Sequence, residues 1–279
     1  MTDTFSDKEY SLRILAESGT RFIVAHRGSS GTAPENTLIS LQKAIDAGAS
    51  VIEVDVQLTK DNQVVLLHDP HLGRTTSGKG FISNYTYSEL HSIDAGSWFD
   101  TKYSAERIPL LYEAIELLKK HKIFVNIEIK PPQPQEDFKK RVDAITDIVI
   151  QAHMSEVTLF GSFHHQSLAY LKKIYHNLYT SAINVPGDKR LPSEIAKEIK
   201  CDAFVCSLKE LNHRRDDDAF AHKLMMGVYS INSEKDFKKI MKLIMPKNEE
   251  KSSIYHASKQ NLIIVFVNEI TNQTISKGN

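Results

Sequence analysis

Strand-like and helix-like segments alternate along most of this chain, and this alternation limits its fold more than any other feature. Eight short segments, several almost continuously apolar, have the pattern of buried parallel strands: 22–26, 51–58, 64–68, 123–129, 157–160, 180–185, 203–207 and 226–231. Six amphipathic segments have apolar residues at helical spacing: 36–47, 111–121, 138–152, 166–175, 192–200 and 234–245. Such alternation predicts a parallel sheet covered by helices, either open or closed into a barrel.

The length of 279 residues suits one such unit, because a single α/β barrel commonly needs about 250 residues. We therefore expect one domain over residues 1–279. Two regions interrupt the alternation. Residues 69–108 are rich in Gly, Ser, Thr and aromatic residues and are expected to form an insertion above the sheet. Residues 246–279 diverge from the pattern, although residues 262–267 have the composition of a strand.

Charge and composition exclude several classes of protein. The 35 Lys and Arg residues equal the 35 Asp and Glu residues, so nucleic acid is not an expected partner. The N-terminus lacks a signal-peptide pattern, and no run of about 18 apolar residues predicts a membrane span. Cys201 and Cys206 do not form a disulfide framework, so a cytoplasmic location is expected. Residues 214–218 have the composition of a solvated surface stretch, and the oligomeric state is not predicted.

Ionisable residues stand at the ends of several predicted strands. They are His26 and Arg27 after the first, Glu53 and Asp55 in the second, His68 after the third, and Glu128 and Lys130 at the fourth. In parallel α/β folds the carboxyl ends of the strands meet at one face, where ligands bind. We therefore expect these side chains to line one polar pocket.

The spacing of these residues suggests what they bind. Glu53 and Asp55 share one strand face, and a turn near Asp61 would place His68 opposite Asp55. Three carboxylates with Glu128 would repel one another unless a cation lay between them, and Mg²⁺ or Ca²⁺ prefers such ligands. The two imidazoles suit acid–base catalysis. Arg27 and Lys130 suit a phosphate.

Each residue taken alone has a simpler explanation. A single strand-end histidine is usually structural, the two strand acids could form an exposed face, and Glu128 with Lys130 could be a surface ion pair. Asn36 and Thr37 are more typical of a helix start than of a ligand. The functional interpretation is favoured because all these groups occur at strand ends of the same polarity.

At these residues the chain resembles the glycerophosphodiester phosphodiesterase family. The resemblance rests on "AHRG", "PENT", "IEVDVQLTKD", "VVLLHDPHLGRTTSGKG", "NIEIK" and "GSF", is dense over residues 22–131 and continues more loosely to about residue 245. It implies a TIM-type (β/α)8 barrel with a small insertion after the second strand hairpin. The roles that it implies are catalysis by His26 and His68, metal binding by Glu53, Asp55 and Glu128, phosphate binding by Arg27 and Lys130, and support by Glu35 and Asn36.

The activity implied by the resemblance is metal-dependent hydrolysis of a small glycerophosphodiester to sn-glycerol 3-phosphate and an alcohol. One divalent cation, Mg²⁺ or Ca²⁺, is the implied cofactor, with His26 as base and His68 as acid. Two alternatives stay open. One is a phospholipase or lyase that acts on intact lipid headgroups, and the other is a catalytically silent barrel that binds phosphodiesters.

The C-terminal region departs from the family pattern. Relatives usually end with a strand close to "GVDGI", and no such sequence follows "KLMMGVYSIN" here. Either residues 262–267 close the barrel in a different way, or the barrel is open and exposes strand edges. The single tryptophan, Trp98, could line a substrate pocket or simply pack within the insertion.

Overall fold

The structure, a computed structural model, describes residues 11–17, 22–134, 136–244 and 263–268. In chain order the helices and strands are α1 (Leu12–Glu17), β1 (Phe22–His26), α2 (Leu38–Asp46), β2 (Val51–Leu58), β3 (Val64–Leu66), β4 (His71–Leu72), β5 (Gly80–Phe81), α3 (Tyr87–Leu90), α4 (Leu111–Lys120), β6 (Phe124–Ile129), α5 (Phe138–Gln151), β7 (Thr158–Ser162), α6 (His165–Ile174), β8 (Tyr179–Ile183), α7 (Pro192–Ile199), β9 (Ala203–Ser207), α8 (His213–Ala221), β10 (Met225–Tyr229), α9 (Glu234–Ile244) and β11 (Ile263–Val267).

Eight parallel strands form a closed ring. Their order is β1, β2, β6, β7, β8, β9, β10 and β11, and β11 returns to pair with β1. At the closure, Val24 is in register with Val51 on one side and with Phe266 on the other. The TIM-type (β/α)8 prediction is therefore confirmed, and the open-barrel alternative is wrong. The segment "IIVFV" supplies the eighth strand without resembling the usual family sequence.

Burial explains why the strands are almost continuously apolar. Every residue of β2 and β6 is buried, because their side chains face either the barrel interior or the surrounding helices. Helix α4 shows the matching pattern, with Leu111, Ala114, Ile115 and Leu118 buried on one face. The polar residues of β2 and β6 are thus held in a core setting, where each needs a partner.

A hairpin follows β2 and sets the position of the third strand. Strand β3 is antiparallel to β2, with Val56 opposite Leu66 and Leu58 opposite Val64. The backbone N–H of Leu67 donates to the carbonyl of Asp55 at 3.1 Å. The prediction that His68 lies directly opposite Asp55 is therefore wrong by one residue. The strand ends at Leu66, before the predicted limit at residue 68, and His68 lies in the loop that follows.

The predicted insertion above the sheet has its own small apolar core. It contains the two-stranded β4–β5 sheet and the single-turn helix α3. Its buried residues Leu72, Ile82, Leu90, Ala95 and Ile108 form one apolar cluster with Val65 of β3 and with Leu67 directly after it. Trp98 is 41% exposed and donates its ring N–H to the carbonyl of Ala95. Trp98 does not line the central cavity, so packing within the insertion is its role in this fold.

Other sequence expectations need correction or lie outside the described residues. The stretch 214–218, expected on the solvated surface, belongs to helix α8, where Arg215 and Asp216 are buried. Helix α1 was not predicted. Cys201 and Cys206 are free and buried, as expected. Most of the divergent segment 246–279 falls outside the described residues, and strand β11 is its main described part. Among the helices that the structure describes, none has both the length and the apolar character to span a membrane.

Candidate active site

A cavity of about 260 Å³ lies at the carboxyl ends of the barrel strands. Six of the nine residues singled out in the sequence line it. One side, which we call the charged wall, consists of His26, Arg27, Glu53, His68, Glu128 and Lys130. The other side, which we call the neutral wall, consists of Asn126, Gly161, Phe163, Ser181, Ile183, Val205, Tyr229 and Ser230. Asp55 lies fully buried behind these six residues, and we count it as part of the charged wall. Glu35 and Asn36 contact this wall from outside the cavity.

A tight turn after β1 turns Arg27 towards the acidic residues. Arg27 and Gly28 both have positive φ, 58° and 76°. A Cβ on Gly28 would lie 2.6 Å from the backbone carbon of Ser40, so only glycine fits there. The Arg27 Nε lies 3.1 Å from Asp55 Oδ2, and its Nη1 donates to Glu35 Oε1 at 2.9 Å. The Arg27 backbone N–H also donates to Glu53 Oε2 at 2.9 Å.

Three carboxylates converge on one point of the charged wall. Glu53, Asp55 and Glu128 each place an oxygen within 4.8 Å of the other two. The cause is the parallel register of β2 and β6, which sets Asp55 beside Glu128. Burial, together with the charges of Asp55 and Glu128, raises the pKa of Glu53 well above its usual value. The pKa of Glu128 is also raised, because burial outweighs its attraction to Lys130.

Asp55 differs from the two glutamates in the direction of its pKa shift. Burial opposes its charge, but Lys130 and Arg27 outweigh burial and lower the pKa of Asp55. The Lys130 Nζ lies 2.7 Å from Asp55 Oδ1 and donates to Glu128 Oε1 at 2.5 Å. Asn36 fixes the same carboxylate from behind, since its Nδ2 donates to Asp55 Oδ2 at 2.8 Å and its Oδ1 accepts from the Asp55 backbone N–H.

The donor set fits a hard divalent cation. Glu53 is 1% exposed, yet its Oε1 accepts no hydrogen bond from any residue in the described ranges. The raised pKa values of Glu53 and Glu128 mean that Arg27 and Lys130 do not offset burial and the repulsion between the acids, so a further cation would be favourable there. Carboxylate oxygens in this number are the ligands that Mg²⁺ and Ca²⁺ take in proteins. The acidic group can therefore hold a metal ion.

The two histidines have different partners. His26 Nδ1 lies 2.8 Å from Asn268 Oδ1, just after β11, and its Nε2 faces Glu53 Oε2 at 3.9 Å. Because an amide oxygen only accepts hydrogen bonds, this contact places the proton on Nδ1. Burial and the neighbouring Arg27 lower the pKa of His26 to about 4. His68 Nδ1 instead lies 2.6 Å from the carboxylate of Asp69, and burial lowers the pKa of His68.

Three residues that contact the site were not singled out in the sequence: Asp69, Arg74 and Asn268. Asp69 and Arg74 form an ion pair, and Arg74 Nη2 donates to Glu35 Oε1 at 2.7 Å, so Glu35 joins Arg27 to Arg74. Both residues stand in the quoted "HDPHLGRTT" stretch, which was the available signal. Asn268 gave no signal, because it is 242 residues from His26 along the chain.

The neutral wall has a different chemistry. Phe163 and Tyr229 pack edge to face with ring centroids 6.2 Å apart, and Ile183 and Val205 add apolar surface. Asn126, missed although it belongs to "NIEIK", and Ser181 supply buried polar groups on this side.

Comparison with known proteins identifies relatives over most of the chain. The model of the "Glycerophosphoryl diester phosphodiesterase family" matches residues 26–247. A glycerophosphodiester phosphodiesterase of Bacillus altitudinis is 33% identical over 79% of this chain and 90% of its own. One from Caldanaerobacter subterraneus is 41% identical over 56% of this chain and 63% of its own.

Solved structures give the same relationship. An Oleispira antarctica phosphodiesterase in complex with the product sn-glycerol-3-phosphate has a TM-score of 0.80 at 29% identity, over 94% of this chain and 98% of that chain. A glycerophosphodiester phosphodiesterase from Agrobacterium tumefaciens has a TM-score of 0.71 at 23% identity, over 89% of this chain and 96% of that chain. The second likeness shows the fold alone.

Proposed function

The chain belongs to the glycerophosphoryl diester phosphodiesterase family, and we propose how its own residues carry out the reaction. It is an enzyme that hydrolyses glycerophosphodiesters to sn-glycerol 3-phosphate and an alcohol. The observation that carries the proposed mechanism is the charged wall, where two histidines and two cationic side chains surround three acids at the mouth of one barrel. The roles below are assigned from the partners of each side chain.

Glu53, Asp55 and Glu128 would hold one divalent cation, Mg²⁺ or Ca²⁺. The unpartnered Oε1 of buried Glu53 supports this assignment, because a buried polar oxygen without a partner is costly in a protein interior. When bound, the cation would lower the pKa of an attacking hydroxyl and offset negative charge on the phosphate. Asn36 keeps Asp55 oriented for this role through its two hydrogen bonds.

His26 would act as the general base. Its Nδ1–H donates to the Asn268 amide oxygen, so Nε2 is the ring nitrogen with the lone pair that accepts a proton. That nitrogen is the one on the Glu53 side of the ring. The attacking hydroxyl, which the family resemblance suggests is the glycerol hydroxyl next to the phosphoester, would lose its proton to Nε2.

His68 would act as the general acid. A carboxylate partner at Nδ1 stabilises the charged form of an imidazole, and Asp69 supplies that partner at 2.6 Å. Its side chain is 33% exposed, against 15% for His26, so a charged imidazole is less costly there. His68 would therefore protonate the departing alkoxide from Nε2, which leaves a cyclic glycerol phosphate. Water would then open this ring to give sn-glycerol 3-phosphate.

Arg27 and Lys130 would bind the phosphate and stabilise its developing charge. Both are already oriented by carboxylates, Arg27 by Glu35 and Asp55 and Lys130 by Asp55 and Glu128. Because these groups are fixed before the substrate arrives, they need little rearrangement as the transition state forms. Their positive charge then lowers the barrier by stabilising the charge that develops on the phosphate. Arg74 supports this arrangement through its pairs with Glu35 and Asp69.

The direct test uses purified protein and glycerophosphocholine with Mg²⁺ or Ca²⁺, and measures release of sn-glycerol 3-phosphate. A chelator is expected to abolish release, and added cation to restore it. The variant His222→Ala, which changes an exposed histidine, serves as the matched control for histidine replacements. Release of glycerol and phosphocholine in place of sn-glycerol 3-phosphate, or full activity with the chelator, would contradict the proposal.

A further inference from the structure

Three neighbouring strands contribute two polar side chains and one glycine to one part of the neutral wall. They are Asn126 on β6, Gly161 on β7 and Ser181 on β8. The register sets Gly161 directly between Glu128 on one side and Ser181 on the other. Asn126 lies beside Glu53 in the β2–β6 register. This group, which we call the floor subsite, therefore borders the charged wall.

The polar atoms of the floor subsite lack protein partners. Asn126 is 5% exposed and Ser181 1% exposed, and both line the cavity. Within the part of the chain that the structure describes, neither Asn126 Oδ1 nor Ser181 Oγ has a hydrogen-bond partner. Buried polar atoms in native proteins are almost always satisfied by protein, water or a ligand. Two such atoms in one cavity indicate that the cavity is built for a polar guest.

Gly161 keeps the space beside these atoms open. A Cβ at this position would lie 3.5 Å from Asn126 Oδ1 and 3.6 Å from Ile183 Cδ1, which are ordinary contact distances. A methyl group would thus fit without moving the backbone, yet it would occupy the space that a guest atom needs next to the amide. This makes Gly161→Ala a way to fill the floor subsite without disturbing the barrel.

The chemistry of the floor subsite suits a neutral hydroxyl. A serine hydroxyl both donates and accepts, and an amide presents one acceptor and two donors. A hydroxyl guest can pair with either end of the amide, so the match does not depend on the amide orientation. A charged guest group would find no opposite charge on Asn126 or Ser181, and burying it there would be costly.

We propose that Asn126 and Ser181 bind the terminal hydroxyl of the substrate's glycerol, in the space that Gly161 leaves open. The proposal rests on the proposed function, because it assumes that the phosphoester lies at the charged wall. The glycerol of such a substrate has one hydroxyl next to the phosphoester and a second one carbon further away. With the first at the histidines, the second extends towards the neutral wall, which borders the charged wall at Asn126.

The test compares two substrates that differ by one atom: glycerophosphocholine and the propane-1,2-diol analogue that lacks the terminal hydroxyl. For the unmodified enzyme we expect kcat/KM to be about 10- to 100-fold lower for the analogue, since the site's buried groups then stay unpaired. In Ser181→Ala and Asn126→Ala the two substrates should differ by no more than about threefold, because the discriminating partner is gone.

Gly161→Ala provides an independent variant that does not remove a hydrogen-bonding group. It should lower kcat/KM for glycerophosphocholine more than for the analogue, because the added methyl competes only with the terminal hydroxyl. Ser167→Ala is the matched control, since Ser167 is equally buried in α6 but does not line the cavity. It should retain the discrimination of the unmodified enzyme, and thermal unfolding shows whether each variant is folded.

Equal kcat/KM for both substrates in the unmodified enzyme would overturn the proposal, as would undiminished discrimination in all three cavity variants. The proposed function fails in a different way, through the absence of turnover with either substrate. Calorimetric binding of sn-glycerol 3-phosphate and of propane-1,2-diol phosphate then decides the matter without turnover. If sn-glycerol 3-phosphate binds more tightly than propane-1,2-diol phosphate, and Gly161→Ala removes this difference, the floor subsite is supported. Equal binding of the two ligands by the unmodified enzyme contradicts it.

Discussion

The charged wall and the neutral wall face the same cavity but differ in how their polar groups are satisfied. On the charged wall Arg27 pairs with Asp55 and Glu35, and Lys130 pairs with Asp55 and Glu128. On the neutral wall the buried atoms Asn126 Oδ1 and Ser181 Oγ have no partner among the described residues. The two cationic side chains are thus held in place before any ligand arrives, while the two neutral groups, and Glu53 Oε1 among the acids, are left for a ligand to satisfy.

This difference suggests that the charged wall carries out catalysis and the neutral wall selects the substrate. Preorganised charges act best where charge develops during a reaction, which for a phosphodiester is the phosphate. Neutral groups placed away from the phosphate contribute less to stabilising that charge, but they discriminate between ligands by the cost of leaving a buried hydrogen bond unmade. We therefore expect replacements on the charged wall to lower kcat strongly, and replacements on the neutral wall to change substrate preference with smaller losses.

The largest expected effect comes from the two histidines. His26→Ala and His68→Ala should each lower kcat by about 10²- to 10⁴-fold, because each removes one proton transfer. Steady-state kinetics with glycerophosphocholine measures this loss, and thermal unfolding checks the fold. A loss below about tenfold in either variant would refute its role as acid or base.

The two roles can be separated with a substrate whose leaving group is p-nitrophenol. A good leaving group needs no protonation, so His68→Ala should regain most of its activity on this substrate, and His26→Ala should not. The opposite pattern would exchange the two assignments. Equal recovery in both variants would show that neither histidine acts as the acid.

A smaller but still large effect is expected from Glu53→Gln. This change keeps the shape of the side chain and removes one anionic ligand, so the cation should bind more weakly. We expect the Mg²⁺ or Ca²⁺ concentration for half-maximal activity to rise by at least about tenfold. Glu156→Gln, at an acidic residue remote from the cavity, is the control. An unchanged metal dependence in Glu53→Gln would remove Glu53 from the ligand set.

Loss of the hydrogen bond between Asn268, which directly follows β11, and His26 should have a moderate effect on kcat. Asn268→Ala removes the acceptor for His26 Nδ1–H and should lower kcat by about tenfold, which corresponds to the loss of one hydrogen bond. The KM should change little, because Asn268 does not line the cavity. A fall in kcat as large as that of His26→Ala would mean that Asn268 does more than orient the ring.

The smallest effect is expected outside both walls. Trp98 is 41% exposed in the insertion, and its ring packs edge to face with Phe99. Trp98→Phe should leave kcat/KM unchanged and alter the free energy of unfolding by no more than about 0.5 kcal/mol. A marked change in substrate preference would extend the substrate site into the insertion.

Local patterns explain why much of the fold could be predicted. Apolar runs and helical spacing depend on neighbouring residues, so most strands were located within a few positions. The register of His68 was missed by one residue, because turn geometry rather than composition sets where a hairpin begins. Helix α8 was missed because its charged composition hides the buried Arg215, which lies over the ring of Phe204.

The site was predictable to the extent that its residues lie in short motifs at strand ends. His26, Glu53 and Glu128 could be grouped because parallel strands bring their carboxyl ends together. Asn268 could not, since its approach to His26 depends on closure of the barrel by β11 across 242 residues. Asn126 and Ser181 were also missed, because a lack of hydrogen-bond partners is visible only in three dimensions.

We propose above all that Glu53, Asp55 and Glu128 hold one divalent cation on the charged wall. Anomalous diffraction from crystals of the enzyme soaked with Mn²⁺, as a substitute for Mg²⁺ or Ca²⁺, tests it most directly. We expect one strong peak bonded to oxygens of these three carboxylates, and loss of that peak in Glu53→Gln. A fully active enzyme whose only peak lies away from the three acids would contradict it.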